Sequence, residues 1–477
     1  MRHENFDIIV IGGGAGGLFA VSVASALGAK ACLIEKTRLG GDCTWFGCVP
    51  SKALLKSAHV ANLINRFELF GLNLSKGIKL DTAGVMPHVR DIVHEVSTHH
   101  PNELFEKRGI KVVIGPVKFI NQNTVEVNNQ KFSAKKFIIC TGSHPAIPPI
   151  EGLDKAGYLT NENIFDLDVL PKSLIVLGGG PIGIELSQAL NRLGVKVHVV
   201  EMLERILFRE DKEIASVLEN SLKQEGVEIL AGKKAVKVYK KDNLVTVIIE
   251  SGDGRREEIS AENILVAVGR APNLEGLSLD KANVKHDKKG LIVNKYLQTT
   301  NKNIFACGDI AGPYQFSHVA AYQAGICVRN ALFRRIAWQR VSYDNIVWAT
   351  FTDPEVAHLG LIQEEAQKKY RGIKIYKSEY GVSDRAVTDS EKNGLIKIIT
   401  DKKGYILGAH ITGSSASEIM QGLLIAKSFN IKLSKIAEVL FIYPTLSEIV
   451  KKTAAKPLIA MADNPLIKFV LNIIKKR

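Results

Sequence analysis

The sequence has few cysteines, few aromatic residues and no long uncharged apolar run. Six cysteines in 477 residues are too sparse for a disulfide-stapled secreted scaffold. Because no 18 successive residues are apolar and uncharged, the sequence predicts no helix that spans a bilayer. Aromatic residues make up only 7% of the chain, but 46% is hydrophobic and 23% charged, which excludes extensive disorder. The length corresponds to about three domains.

The net charge of +14 is densest near the C-terminus and forms no block interleaved with aromatic residues. The electrostatic pattern of nucleic-acid-binding proteins is therefore missing, and we predict no nucleic-acid partner. The apolar segment 18–29 follows a charged start, as in a signal peptide, but a glycine turn precedes it and a second apolar run follows. We interpret it as internal structure and expect a cytoplasmic protein.

A glycine-rich turn follows the first apolar run. Residues 6–11 are typical of a buried parallel strand, and Gly12, Gly14 and Gly17 follow at GxGxxG spacing. Glycines at this spacing let the backbone approach a pyrophosphate at the positive end of the next helix. Glu35 ends the second predicted strand, where a carboxylate can accept from a ribose hydroxyl. The framed motif predicts a dinucleotide-binding unit.

The same unit recurs later in the chain. Gly178, Gly180 and Gly183 follow a second apolar strand, and Glu201 ends the strand after the helix. Two copies predict two adenine dinucleotides and electron transfer between them. A carboxylate accepts from a free 2′-hydroxyl but repels a 2′-phosphate, so NAD is favoured over NADP, although Arg205 is near enough to complicate the choice.

Cys43 and Cys48 form the third motif. Two sulfurs at this spacing can close a disulfide across the first turn of a helix, whose N-terminus would stabilise the thiolate formed on reduction. Zinc binding is the competing interpretation, but it needs about four ligands and no second Cys or His pair lies nearby, so we predict no metal site. The other cysteines are interpreted as small buried hydrophobes: Cys32, Cys140, Cys307 and Cys327.

A GGxC-x4-CVPSK segment after an N-terminal GxGxxG resembles the class I pyridine nucleotide-disulfide oxidoreductases. That family includes dihydrolipoamide dehydrogenase, glutathione reductase and mercuric reductase. The resemblance extends over nearly the whole chain through residues 141–143, 268–273, 305–309 and 351–355. It implies an α/β fold with two Rossmann-like dinucleotide-binding domains, for FAD and NAD, and a C-terminal α+β dimerisation domain. It also implies a homodimer.

On this resemblance we expect five segments along the chain. They are the first part of the FAD-binding domain (1–150), an NAD(P)-binding domain (151–270), the second part of the FAD-binding and central domain (271–344), a dimerisation domain (345–463) and a basic amphipathic tail (464–477).

The resemblance also implies which residues bind the cofactors. Those expected to hold FAD are Gly12, Gly14, Gly17, Glu35, Lys52, Thr141, Gly142 and Asp309. Those expected at the nicotinamide cofactor are Gly178, Gly180, Gly183 and Glu201, with Gly269 in the loop that leaves its domain.

The resemblance assigns chemical roles as well. Cys48 is expected to be the flavin-side sulfur, and Cys43 the outer sulfur that exchanges with substrate. Lys52 and Glu185 match a buried ion pair beside the flavin ring, which polarises the site. Electrons would pass from NADH to flavin, then to the disulfide, and leave as a dithiol.

Residues between and beside the cysteines differ from those usual in lipoamide dehydrogenases. Trp45 and Phe46 are bulkier than the usual pair, and they either shape the acceptor site or pack against the flavin-binding helix. Asp42 places a negative charge next to Cys43, which is expected to disfavour its thiolate.

The C-terminal segment departs from the disulfide-reducing members. Those members carry His-Pro-Thr-x-x-Glu, whose His exchanges a proton with the outer thiol. Here Tyr443 replaces the His while Glu448 is kept. A phenol titrates near 10 and an imidazole near 6.5, so Tyr443 is a poor base at neutral pH. No His follows His410, which we interpret as structural.

A tyrosine at this position resembles mercuric reductases, although their extra metal-transferring cysteines are missing because Cys327 is the last cysteine. The leading prediction is therefore a mercuric-reductase-like enzyme with a small-molecule acceptor: a disulfide, a thiol-bound metal ion or a quinone. Dihydrolipoamide dehydrogenase is one alternative. A membrane-associated NADH:quinone or diaphorase-type reductase is another, and a flavoprotein that binds without turnover is the third.

Residues 465–474 are apolar apart from Lys468 and Asn472, which share one face of a helix, and a basic end follows. Such a helix suits either contact with a membrane surface or packing on the dimer. It is too short to span a bilayer.

Overall fold

The computed structural model describes residues 3–73, 80–462 and 465–474. The chain divides into two compact units, each built from separate segments of sequence. The first unit comprises Met1–Ser57, Asp81–Pro171 and Asn263–Ser342, and the second comprises Ala58–Leu80, Lys172–Glu262 and Tyr343–Arg477. None of the described helices combines the length and apolar composition that a membrane crossing requires.

A seven-stranded sheet forms the centre of the first unit. His3–Ile11 pairs in parallel with Ala31–Glu35 on one side and with Gln130–Ile139 on the other. Apolar clusters pack on both faces of this sheet, which is why residues 8–11 form a continuous apolar run rather than an alternating one. The remaining strands of the sheet are Lys111–Ile114, Thr124–Val127, Val117–Asn121 and Ile304–Ala306.

Helix Ala15–Ala26 follows the first strand and packs against Ser317–Leu332 over the sheet. The other helices of this unit are Gly41–Trp45, the start of Cys48–Asn65, Val85–Ser97, Asn102–Glu106, Leu153–Ala156 and the 3-10 turns Ile164–Asp166, Leu279–Ala282 and Arg335–Ala337. Its short strands are Ser143–Pro145, Asn263–Val266, Arg270–Pro272, His286–Asp287 and Gly290–Leu291.

The second unit begins with another parallel arrangement. Ser173–Leu177 pairs with Lys196–Glu201, which pairs with Glu228–Ala231. Helix Pro181–Arg192 connects the first two strands, and Lys212–Gln224 connects the next two. A three-stranded antiparallel sheet completes this part, with strands Lys233–Lys241, Leu244–Ser251 and Arg256–Ala261.

The C-terminal part of the second unit is a five-stranded antiparallel sheet covered by helices. Its strand order is Val347–Thr350, Glu355–Gly360, Ile406–Gly413, Leu395–Thr400 and Lys374–Glu379. Its helices are Gln363–Lys369, Asp384–Thr388, Ala416–Ser428, Leu433–Ala437, Glu448–Ala462 and Pro465–Ile474, and the 3-10 turns of the unit are Phe67–Phe70 and Tyr380–Val382. The predicted fold class is confirmed, whereas the predicted domain limits stay predictions.

Candidate active site

The first glycine turn has no room for side chains. Gly12 has a φ of +106°, and a Cβ there would lie 2.4 Å from the carbonyl oxygen of Cys140. A Cβ on Gly17 would lie 1.8 Å from the carbonyl oxygen of Gly12. Gly14 caps the following helix, so the first backbone N–H groups of that helix are available to an anion. The turn fits the pyrophosphate of FAD.

The second glycine turn repeats this geometry. Gly178 has a φ of +112°, and a Cβ on Gly183 would lie 2.1 Å from the carbonyl oxygen of Gly178. Gly180 caps helix Pro181–Arg192 and has open space around it. This turn fits the second dinucleotide.

Each turn is held by the carboxylate that ends the next strand. Glu35 Oε2 accepts from the N–H of Gly13, and Glu201 Oε2 accepts from the N–H of Gly179, both at 2.6 Å. In each residue Oε1 accepts from the backbone N–H two residues later, at 2.9 and 2.7 Å. The carboxylates are thus fixed beside the turns, with lone pairs left for ribose hydroxyls.

Cys43 and Cys48 are free cysteines that lie close enough to interact with each other. Cys43 is half-buried in helix Gly41–Trp45, and Cys48 is exposed at the start of helix Cys48–Asn65. The neighbouring Cys48 thiol and burial both raise the pKa of the Cys43 thiol. Cys43 therefore keeps its proton at neutral pH until a base or an acceptor removes it.

The redox motif packs directly on the first glycine turn. Gly41 has a φ of +63°, and a Cβ there would lie 2.5 Å from the Cα of Gly14. Only glycine permits this backbone contact. The contact brings the segment that carries Cys43 next to the expected pyrophosphate site.

A buried arginine links the segment that carries Cys43 to Ser143 and Asp309. The Arg270 side chain is 9% exposed, and its Nη2 lies 2.9 Å from Oδ1 of Asp42. Its Nε donates to Ser143 Oγ at 2.7 Å, and that hydroxyl donates to Asp309 Oδ2 at 2.5 Å. Burial raises the pKa of Asp309, although Ser143 and Arg270 oppose the shift.

Asp42 is therefore ion-paired, which weakens its predicted effect on Cys43. Sequence reasoning did not select Arg270, although it lies inside the 268–273 segment that carried the family resemblance. What the sequence lacked was any sign that residues more than 200 positions apart would meet.

Other predicted FAD-side residues are held by one asparagine. Asn273 Nδ2 donates to the carbonyl oxygen of Thr141 at 2.7 Å, and the Thr141 hydroxyl donates to the Asn273 carbonyl at 3.0 Å. The N–H of Asn273 donates to the carbonyl of Gly142. Gly269 has a φ of +138°, and there is open space where a Cβ would lie.

Cys48 and Lys52 line an open groove of about 420 Å³ together with Lys56 and His88. His88 lies on helix Val85–Ser97 and was not selected from the sequence, because nothing in the local pattern relates it to the cysteines. It adds an imidazole to a groove that also contains Cys48 and two lysines.

Trp45 is packed rather than free. Its Nε1 donates to the carbonyl of Leu39 at 2.7 Å, and the Arg38 guanidinium lies 3.6 Å from the ring centroid. His94 contacts the ring edge-on, at 6.3 Å between centroids. These contacts favour the packing interpretation for Trp45.

The structure does not join Tyr443 to Glu448. The Tyr443 side chain is exposed, and its hydroxyl donates to Asp384 Oδ2 at 2.9 Å. This hydrogen bond raises the pKa of the Tyr443 phenol. Glu448 begins helix Glu448–Ala462, and its buried Oε2 has no hydrogen-bond partner among the described residues.

Lys52 and Glu185 were predicted as an ion pair beside the flavin. Lys52 Nζ donates to Ser51 Oγ at 3.3 Å in the first unit. In the second unit, Glu185 is 4% exposed and its Oε1 accepts from the N–H of Phe351 at 2.7 Å. Their mutual pairing stays a prediction.

Comparison with known proteins decides the family. Residues 6–324 match the pyridine nucleotide-disulphide oxidoreductase family, and residues 346–454 match the dimerisation domain of the same family. The chain belongs to this family.

Named relatives of this oxidoreductase fall into two groups. It is 33% identical to a mercuric reductase of Lysinibacillus sphaericus over 95% of this chain and 83% of that protein. It is 34% identical to a dihydrolipoyl dehydrogenase of Thermus scotoductus over 93% of this chain and 96% of that one. A solved HOCl-induced flavoprotein disulfide reductase from Escherichia coli, as its Cu(II) complex, matches with a TM-score of 0.84 and 25% identity, covering 96% of this chain and all of that one.

The oxidoreductase is thus an FAD-containing enzyme that uses NAD(P)H and a redox disulfide, as predicted. The matched dimerisation domain also confirms the predicted homodimer.

Proposed function

We propose that the enzyme uses NADH to reduce the Cys43–Cys48 disulfide and that its acceptor is a soft metal ion carried by small thiols. FAD, when bound, supplies the two-electron step between nicotinamide and disulfide. The observation that carries the proposal is Tyr443, which stands where disulfide-reducing members have a histidine and whose hydroxyl is engaged by Asp384.

Exchange with a disulfide requires the outer thiol to lose its proton before it attacks. The pKa of the Cys43 thiol is raised, and Tyr443 is not a base at neutral pH. A soft metal ion removes this requirement, because a thiol that coordinates the metal is deprotonated and releases its proton to solvent. The mercuric reductases among the relatives are named for such an acceptor.

The proposal assigns the remaining predicted residues as follows. FAD is held by Gly12, Gly14, Gly17, Glu35, Lys52, Thr141, Gly142 and Asp309, and the nicotinamide dinucleotide by Gly178, Gly180, Gly183, Glu201 and Gly269. Cys43, Cys48, Lys52 and Glu185 carry the redox step, while Tyr443 and Glu448 do not form the acid-base pair of the disulfide-reducing members.

The test measures NADH oxidation with Hg(II)-glutathione and with lipoamide, in the wild-type enzyme and in Tyr443→His. We expect turnover with Hg(II) that depends on Cys43 and is unchanged in Tyr443→His. With lipoamide we expect slow turnover that rises at least tenfold in Tyr443→His, because an imidazole supplies the missing base. Tyr443→Phe is the matched control and should behave as wild type with both acceptors.

Fast lipoamide turnover by the wild-type enzyme would contradict the proposal and favour dihydrolipoamide dehydrogenase. NADH oxidation with quinones that survives Cys43→Ser would instead favour direct transfer from flavin to a quinone.

We also propose NADH rather than NADPH as the donor. Glu201 presents its carboxylate at the second turn, where a 2′-phosphate would be repelled. Arg205, the nearby cation, donates to the backbone carbonyls of Leu207, Phe208 and Glu210 at 2.8 to 2.9 Å. A lower KM for NADPH than for NADH would refute this choice.

Membrane-surface contact through the tail is a further part of the proposal. Helix Pro465–Ile474 exposes Phe469, Ile473 and Ile474 beside Lys468, while the basic end, residues 475–477, lies outside the described residues. We expect the full chain, but not a chain truncated after residue 462, to sediment with anionic liposomes. Equal sedimentation of the two would end this part of the proposal.

A further inference from the structure

A buried cluster of metal-ligating side chains lies in the second unit, among residues with no assigned role. Glu210, His358 and His410 are each at most 2% exposed, and their nitrogen and oxygen donor atoms all lie within 4.8 Å of one another. The two histidines face each other on adjacent antiparallel strands. Glu210 lies two residues before helix Lys212–Gln224.

The backbone fixes the tautomer of both histidines. His358 Nε2 lies 2.8 Å from the carbonyl oxygen of Gly360, and His410 Nε2 lies 3.0 Å from that of Leu361. A carbonyl oxygen can only accept, so each Nε2 carries a hydrogen, and Nδ1 is the atom of each ring that remains to bind a metal.

Of the two Nδ1 atoms, only that of His358 has a polar partner among the described residues. His358 Nδ1 lies 3.0 Å from Glu210 Oε2, and His410 Nδ1 is buried without a hydrogen-bond partner. The three donor atoms converge in the protein interior, where a buried imidazole nitrogen without a partner is unfavourable. A cation between them satisfies all three.

We propose that Glu210, His358 and His410 form a binding site for a divalent transition-metal ion of the zinc class. Two imidazole nitrogens and one carboxylate are a donor set that such ions accept. Tetrahedral ligand atoms about 2.0 to 2.2 Å from one ion lie about 3.3 to 3.6 Å apart. The donor atoms here, 3.0 Å apart for Glu210 and His358 and within 4.8 Å for all three, need only small shifts to reach that spacing.

The surrounding contacts are those that orient metal ligands. The Gly360 and Leu361 carbonyls hold the two imidazoles, and Trp348 Nε1 donates to Glu210 Oε1 at 2.6 Å. The Trp348 ring also stacks on His358, with centroids 3.6 Å apart. Such partners fix the ring and carboxylate geometry of a metal site.

Charged side chains on both sides of Glu210 in the sequence are paired with one another or with the backbone. Lys397 contacts both Asp211 and Glu213, and Lys377 contacts Glu213. With Glu210, three carboxylates stand against these two ammonium groups and the Arg205 guanidinium, which donates to the Glu210 carbonyl, so these charges balance before a metal binds. The site is separate in sequence from the redox cysteines, and its ion would join two strands of the C-terminal sheet to the segment before helix Lys212–Gln224.

The test is zinc binding to FAD-loaded, metal-depleted enzyme that carries Cys43→Ser and Cys48→Ser, so that the redox sulfurs take no zinc. We expect one zinc per chain by elemental analysis after dialysis, and nitrogen and oxygen ligands without sulfur by X-ray absorption. His410→Gln keeps a donor for the Leu361 carbonyl and deletes the Nδ1 ligand. It should weaken zinc binding at least 100-fold.

His198→Gln is the matched control. His198 is another buried histidine with a carboxylate partner, since its Nδ1 lies 2.7 Å from Glu228 Oε2, but it has no place in the proposed site. Zinc affinity should be unchanged in this variant.

If His410→Gln fails to retain FAD, Trp348→Phe decides, because it keeps a stacked ring, removes the donor to Glu210 and should weaken binding about 10- to 100-fold.

Absence of stoichiometric zinc in the folded enzyme would overturn the proposal. So would equal weakening in His198→Gln and His410→Gln. Nitrogen NMR that shows His358 doubly protonated at pH 7 in the presence of saturating zinc would overturn it too, because such a ring has no lone pair for a metal.

Discussion

The guanidinium of Arg270 is a single buried charge with several acceptors. It lies against Asp42 of the redox motif and donates to Ser143, which in turn donates to Asp309. Removing one partner of a buried ion pair costs more than the pair contributes, because the other charge is left without compensation.

We expect Arg270→Gln to destabilise the holoenzyme by about 3 kcal/mol and to reduce FAD retention, since Asp42 and Asp309 both lose a cationic partner. Urea unfolding followed by flavin fluorescence measures the change. Arg255→Gln is the control, because the Arg255 side chain is 83% exposed and its ion pair with Asp253 contributes little. Equal effects of the two substitutions would refute the account.

Asp353 gives the second unit a pH-dependent contribution to stability. Burial alone would raise its pKa, but the hydrogen bond with His59 and the Arg192 guanidinium lower the pKa to about 2. A carboxyl with a lowered folded-state pKa stabilises above its unfolded value near 3.8 and loses that contribution as the pH falls toward 2.

Asp353→Asn should therefore lose less stability than wild type between pH 5 and pH 2, by about 2 kcal/mol. The unfolding free energy measured at several pH values in this window tests the prediction. Asp253→Asn, at an exposed ion pair, should track wild type. An Asp353→Asn curve parallel to that of wild type would contradict the assignment.

At the scale of single residues, the sequence predicted residues that belong to a local motif. Glu35 and Glu201 were predicted as acceptors from ribose hydroxyls, and that role stays a prediction. The structure adds that each carboxylate binds the backbone of its glycine turn, because a strand end and a turn 22 residues away are brought together by one helix. Arg270 and Asp384 were not predicted, because their partners lie far away in sequence. Only the folded chain brings them together.

The glycine turns are the elements on which the proposed cofactor binding depends most directly. Gly17 lies in helix Ala15–Ala26, where a methyl group would lie 1.8 Å from the carbonyl oxygen of Gly12. That oxygen belongs to the backbone of the turn and cannot move without opening it.

Gly17→Ala should therefore reduce the FAD content of purified protein at least tenfold, as the ratio of flavin to protein absorbance. Its matched control is Gly422→Ala, at a helical glycine with open space around it. Relief of backbone entropy should raise stability there by about 0.5 to 1 kcal/mol. Normal flavin content in Gly17→Ala would show that the turn tolerates a side chain.

Elements with a strong local signal were predicted well. The strand, turn, helix and strand of both nucleotide units match, and so does helix Pro465–Ile474. The cluster of Glu210, His358 and His410 was missed, and no metal site was predicted. A separation of 148 residues between Glu210 and His358 leaves no spacing to recognise.

At the scale of the whole molecule, the matched dimerisation domain exposes an apolar segment. Four side chains of this segment of the matched dimerisation domain are largely exposed: Val439 (52%), Leu440 (92%), Ile442 (80%) and Tyr443 (65%). A patch of this kind marks an interaction surface.

Leu440→Asp should convert the dimer into a monomer, because it places a charge in an apolar interface. Light scattering after size exclusion measures the mass, which should fall from two chains to one. Ile336→Asp is the control, since that side chain is 98% exposed and lies outside the matched dimerisation domain. A Leu440→Asp enzyme that stays dimeric would place the interface elsewhere.

The order of the segments has a consequence for synthesis on the ribosome. Ile304–Ala306 pairs with Gln130–Ile139, so the seven-stranded sheet cannot be completed until translation has passed residue 306. The three parallel strands between residues 173 and 231 need no later partner to pair with one another. At about 5 to 20 residues per second, the nascent N-terminal strands wait many seconds for their last neighbour. A chaperone or free FAD that acts on the nascent chain would therefore meet this sheet before its last strand, Ile304–Ala306, has been synthesised.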